Sequence, residues 1–387
     1  MAAGQAKSSP FASFDKSTKI IDTIILDSHP LGMVITPIPE RPGADLINHN
    51  TTFVLGAPRS GTTWLAKILD SHPSVLYRHE PDTTIYRHAL PIVSDPTLTQ
   101  DEIGRLHELV RLQIAHRDIK TTCSLPIFRK QADTAASFYS RVAAAVSLKA
   151  LSRVLPRTAQ SRLALPTGLD RPKHEYHLVA KSVSSLGRAD LLAGAFPDAR
   201  FILIIRNALG QVASRLLGIR SGKMPSAAWN AEMLHTQAAR RYGLDTVAMA
   251  NMPIAARLAW EWAVMNEKAL DDLRPLNRSR VIRYVDLADD TIGCSQRLLG
   301  FLGLPWVPQV EEFVRTSSRS TGPDGYYSVR KDAQIVKRKW AAYLTADEQA
   351  QILEVMRLTH VGLMYPELID RYTRPMPAAD TTDRQPS

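Results

Sequence analysis

Phe53-Val-Leu-Gly-Ala-Pro-Arg-Ser-Gly-Thr-Thr-Trp64 is the stretch on which the fold turns. The apolar run Thr52 to Gly56 reads as a buried strand, a turn of small residues follows, and a helix begins at Gly61. Gly56 and Gly61 stand at the G-x-x-x-x-G spacing of phosphate-binding loops. Glycines at these places let the backbone approach an anion, and the helix behind them turns its free N–H groups and positive dipole end toward it. Thr62 and Thr63 add hydroxyl donors. A Walker A loop has Lys after its second Gly; here that place is Thr62, and the cation, Arg59, lies inside the loop. The plainer alternative is a strand–turn–helix whose glycines serve only close packing.

Four further runs read as strands: Val75 to Arg78, Tyr176 to Lys181, Phe201 to Arg206 and Arg280 to Tyr284. Phe201-Ile-Leu-Ile-Ile205 is apolar throughout, as a strand covered on both faces must be. Helical patterns, such as Trp64 to Leu69 and Leu209 to Ile219, lie between most of the strands. Alternation of this kind implies βαβ crossovers. The expected fold is α/β, P-loop-like and three-layered, with a mostly parallel sheet of about five strands and large helical insertions.

The main domain is expected over 51–370, after an N-terminal extension (1–50) and before a flexible tail (371–387). The extension holds one short apolar stretch, Ile20 to Leu26, and a Pro-rich connector, Thr36 to Pro42. The insertions are 81–175 and 221–277, the second with Trp229, Trp260 and Trp262 as bulky anchors. Both are expected to leave the sheet at the C-terminal ends of strands, where open α/β sheets bind ligands, and so to build an acceptor pocket.

With 387 residues, 44% of them apolar, the chain has ample material for a core. A formal net charge of +10 suits an acidic partner, but the charges are dispersed and no nucleic-acid motif accompanies them, so no nucleic acid is expected. Two cysteines, Cys123 and Cys294, with no Cys/His cluster, give neither a disulfide framework nor a metal site. The absence of a signal-like N-terminus and of any apolar run near 20 residues points to a cytoplasmic protein without a transmembrane segment. Where a Mg²⁺-orienting carboxylate would follow the Phe201–Ile205 strand stands Arg206, so no metal is expected.

Pro58-Arg-Ser-Gly-Thr-Thr-Trp64 resembles the 5′-phosphosulfate loop of sulfotransferases that use 3′-phosphoadenosine 5′-phosphosulfate (PAPS), in the bacterial and glycan-directed branch with Arg in the loop. The resemblance implies that Pro58, Arg59, Ser60, Gly61, Thr62 and Thr63 hold the donor, with Trp64 either stacked on adenine or packed on the sheet. Phe196 to Asn207 and on to Ser214 resembles the family's 3′-phosphate signature, in which Arg206 and Ser214 share one anion. Read alone, Arg206 would pair with a surface carboxylate. Arg283 to Leu287 and Leu298 to Leu304 resemble the family's stretch after its last strand and read mainly as core. Arg330, Lys331, Lys339 and Trp340 are similar in kind to residues that cover the nucleotide.

Sulfuryl transfer needs a base for the acceptor and cations for the leaving phosphate. In the cytosolic branch the strand matching Tyr176–Lys181 ends Lys-x-His, and that His is the base; here Val183 stands in its place. The other branch uses a Glu soon after the loop helix, which implies Glu80 as general base, with His79 as the alternative. Lys181 and Arg59 would stabilise the bridging oxygen and phosphosulfate; otherwise Lys181 is a strand-end surface lysine. The acceptor is a small molecule, a glycan or a lipid offering a hydroxyl or amine. The competing readings are a P-loop kinase or NTPase, a non-catalytic nucleotide binder and a basic nucleic-acid binder.

Overall fold

Five short apolar segments pair side by side, all parallel, in the order β2-β3-β1-β4-β5. The strands are β1 (Thr51–Leu55), β2 (Val75–His79), β3 (His177–Ser182), β4 (Arg200–Ile205) and β5 (Ser279–Arg283). The computed structural model describes residues 50–85, 89–94, 97–155, 163–165, 176–224, 230–318 and 339–373. The helices that matter below are α1 (Thr62–Asp70), α2 (Gln100–Ala115), α3 (Ile119–Thr122), α4 (Ala135–Leu151), α5 (Ala189–Ala195), α6 (Ala208–Arg220), α7 (Ile254–Leu273), α8 (Thr291–Leu302), α9 (Pro308–Ser318) and α10 (Ala346–Leu358).

The apolar strands are continuous because each face is covered. Phe53, Leu55, Phe201, Leu203 and Ile205 point into one layer, with residues of α2, α5, α6, α7 and α10. Val54, Val179, Ile202 and Ile204 point into the other, with α1, α8 and α9. Successive residues of a strand alternate faces, so a strand with both faces buried has no polar position to spare. This is the expected three-layer α/β fold.

Register brings the C-terminal ends of three strands together: His79 pairs with Lys181, and Val54 with Lys181. After β1 the chain builds toward β2, and after β3 it crosses to the opposite side of β1 to form β4. Such a divergence leaves a crevice at that edge.

The second insertion departs from the expected place and lends Met224 to the cavity described below, while its long helix lies in the core. It leaves from the end of α6, not from a strand, and α7 buries Leu258, Trp262 and Ala263 in the layer against α6 and α10. Trp260 is core as well. An apolar helix face records that it is buried, not against what, so a core layer and a pocket wall look alike in sequence. Trp340 is 5% exposed within the same layer and does not border the cavity described below. Trp229, Arg330, Lys331, the Ile20–Leu26 stretch and the final tail lie outside the described residues.

Two histidines, one buried and one half-buried at the cavity, give the fold a pH dependence. His177 bonds Thr52 Oγ1 at 2.7 Å, and burial, helped by Arg200 and His72, pushes its imidazole down to about 4. His79 is pushed down to about 3, again by burial first and then by Lys181. In the unfolded chain both titrate near 6.5, so the stability they contribute is present above that pH and is lost as pH falls toward 4 and 3. At pH 5 the loss is about 2 kcal/mol for each relative to neutral pH. Calorimetric melts at pH 7.5 and 5.0 should differ by several degrees, and a melting temperature unchanged over that range would contradict neutral rings.

Candidate active site

The loop after β1 is shaped by two left-handed residues, Arg59 (φ 75°) and Gly61 (φ 91°). Alternation of helical signs along a loop turns successive N–H groups to one side, which makes an anion-binding concavity. A Cβ at Gly56 would lie 2.5 Å from the Ile204 carbonyl oxygen, and one at Gly61 would lie 2.6 Å from Tyr284 Cδ2. Only glycine fits either place. Gly61 offers no side chain to cap α1, so the positive end of that helix opens on the loop. Ser60 is fully buried, and its Oγ has no hydrogen-bond partner among the described residues. An orphaned buried hydroxyl is costly and fits a loop built to receive an anion.

Three bonds tie this loop to the turn and helix after β4. Arg59 Nε donates to Ser214 Oγ at 2.9 Å, Gln211 Nε2 to the Pro58 carbonyl at 3.1 Å, and Arg206 to the Arg59 carbonyl at 3.2 Å. Arg206 is buried, its guanidinium 5.2 Å from the Tyr284 ring centre. A Cβ on Gly210 would meet Arg206 Nε at 2.6 Å, so α6 is notched to admit it. Trp262 Nε1 donates to the Arg206 carbonyl at 2.9 Å and Tyr365 OH to the Ile205 carbonyl at 2.8 Å, fixing the strand end. Arg206 and Ser214 thus meet the loop through Arg59, which stands between them. Arg206 is no surface residue.

On the other side, Glu80 occupies a left-handed position (φ 48°) just past β2, and its N–H donates to the Lys181 carbonyl at 2.8 Å. Lys181 Nζ lies 2.5 Å from Glu80 Oε1, and Lys120 Nζ lies 3.1 Å from Oε2. Lys181 is 2% exposed, so it is not a surface lysine. Burial alone would raise the Glu80 carboxyl, but Lys181, His79 and Lys120 outweigh it and hold it at about 2. For Lys181 burial is the larger effect and lowers the ammonium despite Glu80. His79 shares a 2.8 Å hydrogen bond between Nδ1 and Tyr77 OH and stays neutral. Beneath the turn, Asp82 accepts from Ser182 and Ser185 and faces Arg188, which locks Pro81–Thr83 onto β3.

Between the two sides lies one cavity of about 560 Å³, with Ser60, Ser214 and Lys120 behind its lining. It is lined by the loop residues Pro58, Arg59, Gly61, Thr62, Thr63 and Trp64 and by His79, Glu80, Lys181 and Arg206. Such a volume lies within the usual range for small-ligand sites. Trp64 is nearly buried, donates from Nε1 to Ser317 Oγ at 3.1 Å, and leans on Tyr284, so it packs in the layer and presents only an edge to the cavity. Among the described residues four cations (Arg59, Lys149, Lys181 and Arg206) line the cavity against the single carboxylate of Glu80.

A family model described as the sulfotransferase family matches residues 52–308, well over half of the chain. The chain belongs to the sulfotransferase family. It is a PAPS-dependent sulfotransferase enzyme. Carbohydrate sulfotransferase 5 of Mus musculus is 22% identical over 331 residues, covering 80% of this chain and 78% of its own. Among solved structures, the sulfotransferase domain from the curacin biosynthetic pathway is 14% identical, with a TM-score of 0.40 over 81% of this chain and 97% of that one. Mouse sulfotransferase SULT7A1, solved with PAP, is 12% identical, with a TM-score of 0.39 over 85% and 94%.

Several of this sulfotransferase's cavity residues carry no motif. Ser124, Leu125 and Lys149 come from the first insertion and Met224 from the turn after α6. Lys67 holds Ser124 in place: its buried ammonium pairs with Asp70 at 2.7 Å and donates to the Ser124 and Pro126 carbonyls at 2.7 and 3.0 Å. Tyr284, read in sequence as core, is both core and cavity wall; its place at the end of β5 was the available signal. No helix among the described residues is long and apolar enough to cross a membrane.

Proposed function

We propose that this sulfotransferase moves the sulfuryl group of PAPS to a hydroxyl or amine by in-line displacement, with Glu80 as general base. The observation that carries the reading is the meeting of Glu80 and Lys181 with the Arg59 loop in one cavity at the C-terminal edge of the sheet. The loop N–H groups, Ser60 and Arg59 suit the 5′-phosphosulfate, and Arg206 with Ser214 suits the 3′-phosphate. The acceptor oxygen bonds to sulfur while the sulfur–bridging oxygen bond breaks and its electron pair passes to the phosphate. Arg59 and Lys181 stabilise that charge, and Lys181, whose proton is loosened by burial, is placed to supply it.

Glu80 is a weak base while two lysines hold it. A donor anion competes for Lys181, and loss of that neighbour raises the carboxylate's basicity. The enzyme is thereby least able to deprotonate an acceptor when no donor is present. Leu125, Val183 and Met224 give the acceptor end an apolar wall, which suits a small molecule, a glycan face or a lipid. Cys123 and Cys294 are free and lie in separate hydrophobic clusters, which supports a reducing, cytoplasmic setting. Arg206 at the place of a metal-orienting carboxylate supports a mechanism without Mg²⁺.

The test is titration with PAP and ATP in parallel, followed by transfer of labelled sulfate from PAPS in EDTA. PAP should bind at least about 100-fold more tightly than ATP, about 2.7 kcal/mol, and transfer should proceed in EDTA. Preference for ATP, or a rate abolished by EDTA and restored by Mg²⁺, would overturn the scheme.

A further inference from the structure

Helix α4 stands out among the described helices for what it leaves in solvent. Only Arg141 and Ala145 are buried. Arg141 donates to the Phe128 carbonyl at 2.7 Å and pairs with Asp133, while Ala145 packs on Ile119 and Cys123. The helix is thus pinned along its inner face. On its outer face Tyr139, Ala143, Val146, Ala150 and Val154 follow one another at helical spacing, the last in the turn beyond the helix end. All five are exposed, Tyr139 by 69%, Val146 by 51% and Val154 by 78%. They form an apolar stripe about 20 Å long. Scattered exposed apolar residues are ordinary on a protein surface, but an uninterrupted stripe is not.

The charges beside the stripe say what it meets. No residue from Ala135 to Leu155 is acidic. Lys149 and Arg153, one turn apart and both exposed, form its edge, and among the described residues neither is in an ion pair. A second copy of the chain would set this basic edge against another equally basic one. An anionic bilayer satisfies both features: the apolar residues enter the acyl boundary and the basic edge meets lipid phosphates. The tyrosine, apolar in its ring and polar at its tip, suits that boundary. Lys149 also lines the active-site cavity, together with the exposed Leu125, so the stripe is continuous with the cavity mouth.

We propose that α4 is a membrane-docking helix that seats the enzyme on an anionic lipid surface with the active-site cavity opening at the interface. Docking requires neither Glu80 nor the transfer step, so it stands or falls independently of the catalytic scheme. Flotation of the full chain with phosphatidylcholine vesicles, and with phosphatidylcholine mixed with phosphatidylglycerol, tests it. Wild type should partition onto the anionic vesicles at least about tenfold more strongly than onto the neutral ones. A Tyr139→Ser/Val146→Ser double variant should lose about tenfold and Arg153→Ser about fivefold, each with melting temperature and PAP affinity near wild type. Absence of binding to the anionic vesicles, or unchanged binding in either variant, overturns the proposal. So does a concentration-dependent dimer, seen by light scattering and abolished by Val146→Ser, in a protein that ignores vesicles.

Discussion

Glu80→Gln should lower the turnover of sulfuryl transfer by about 10²- to 10⁴-fold, the range expected when a positioned general base is lost. The substitution keeps the side-chain length and one acceptor for Lys181 but removes the basicity. PAP affinity should not fall, and should rise modestly, because the Gln side chain no longer competes with the donor anion for the Lys181 charge. Removal of one partner from a buried ion pair is costly in general. Here Lys181 keeps the Gln oxygen, so a fall in melting temperature is expected but not unfolding. The pH profile separates the base from a structural anchor. With Lys181 and Lys120 on it, Glu80 is held well below the usual carboxylate range, and kcat/KM for PAPS, which reports the free enzyme, should show no acid limb from it over the range where the fold is stable. Once donor draws Lys181 away, the carboxyl rises, so the acid limb of kcat should lie at higher pH. A Gln variant with wild-type turnover, or a kcat without any acid limb above that of kcat/KM, would remove Glu80 from the role.

What the sequence disclosed follows from where physical constraint is local. The phosphate loop was legible because its geometry is set by two glycines that admit no side chain, Gly56 against Ile204 and Gly61 against Tyr284. β1 and β4 were legible to within a residue because burial on both faces leaves a nearly unbroken apolar run. Glu80 and Lys181 were legible as strand-end residues, but their direct contact was not; it depends on the register that pairs His79 with Lys181. The first insertion was opaque. Lys120 and Lys149 reach Glu80 and the cavity only because Lys67 and Arg141 hold the chain from Ser124 to Phe128 against α1 and α4, and such long-range anchors leave no periodicity. Resemblance also set Arg206 and Ser214 together on one phosphate. In the fold Arg59 stands between them, its side chain on Ser214 and its carbonyl accepting from Arg206, which joins the pair to the loop.

That junction makes Arg206→Ala the sharper test of how the donor is held. Arg206 is buried among Gly210, Tyr284 and the Arg59 carbonyl, and burial lowers its hold on its proton. A guanidinium kept at such a site gains from an anion that replaces its lost hydration. Loss of the side chain should weaken PAP by about 2–4 kcal/mol, roughly 30- to 1000-fold in Kd. Arg206→Lys should recover only part of this, since the fork is lost while the charge remains. The stability change should be smaller than the binding change, because removing a buried cation also removes its desolvation cost. A structural cation would behave in the opposite way, with a lower melting temperature and an unchanged PAP Kd. The ligand can be varied as well as the residue. If Arg206 grips the 3′-phosphate, the penalty should vanish for adenosine 5′-phosphosulfate, which lacks that group. If instead it acts on the phosphosulfate by way of Arg59, the penalty should be equal for both ligands. The geometry favours the first outcome: Arg206 donates to the Arg59 carbonyl and not to its guanidinium, which is turned to Ser214.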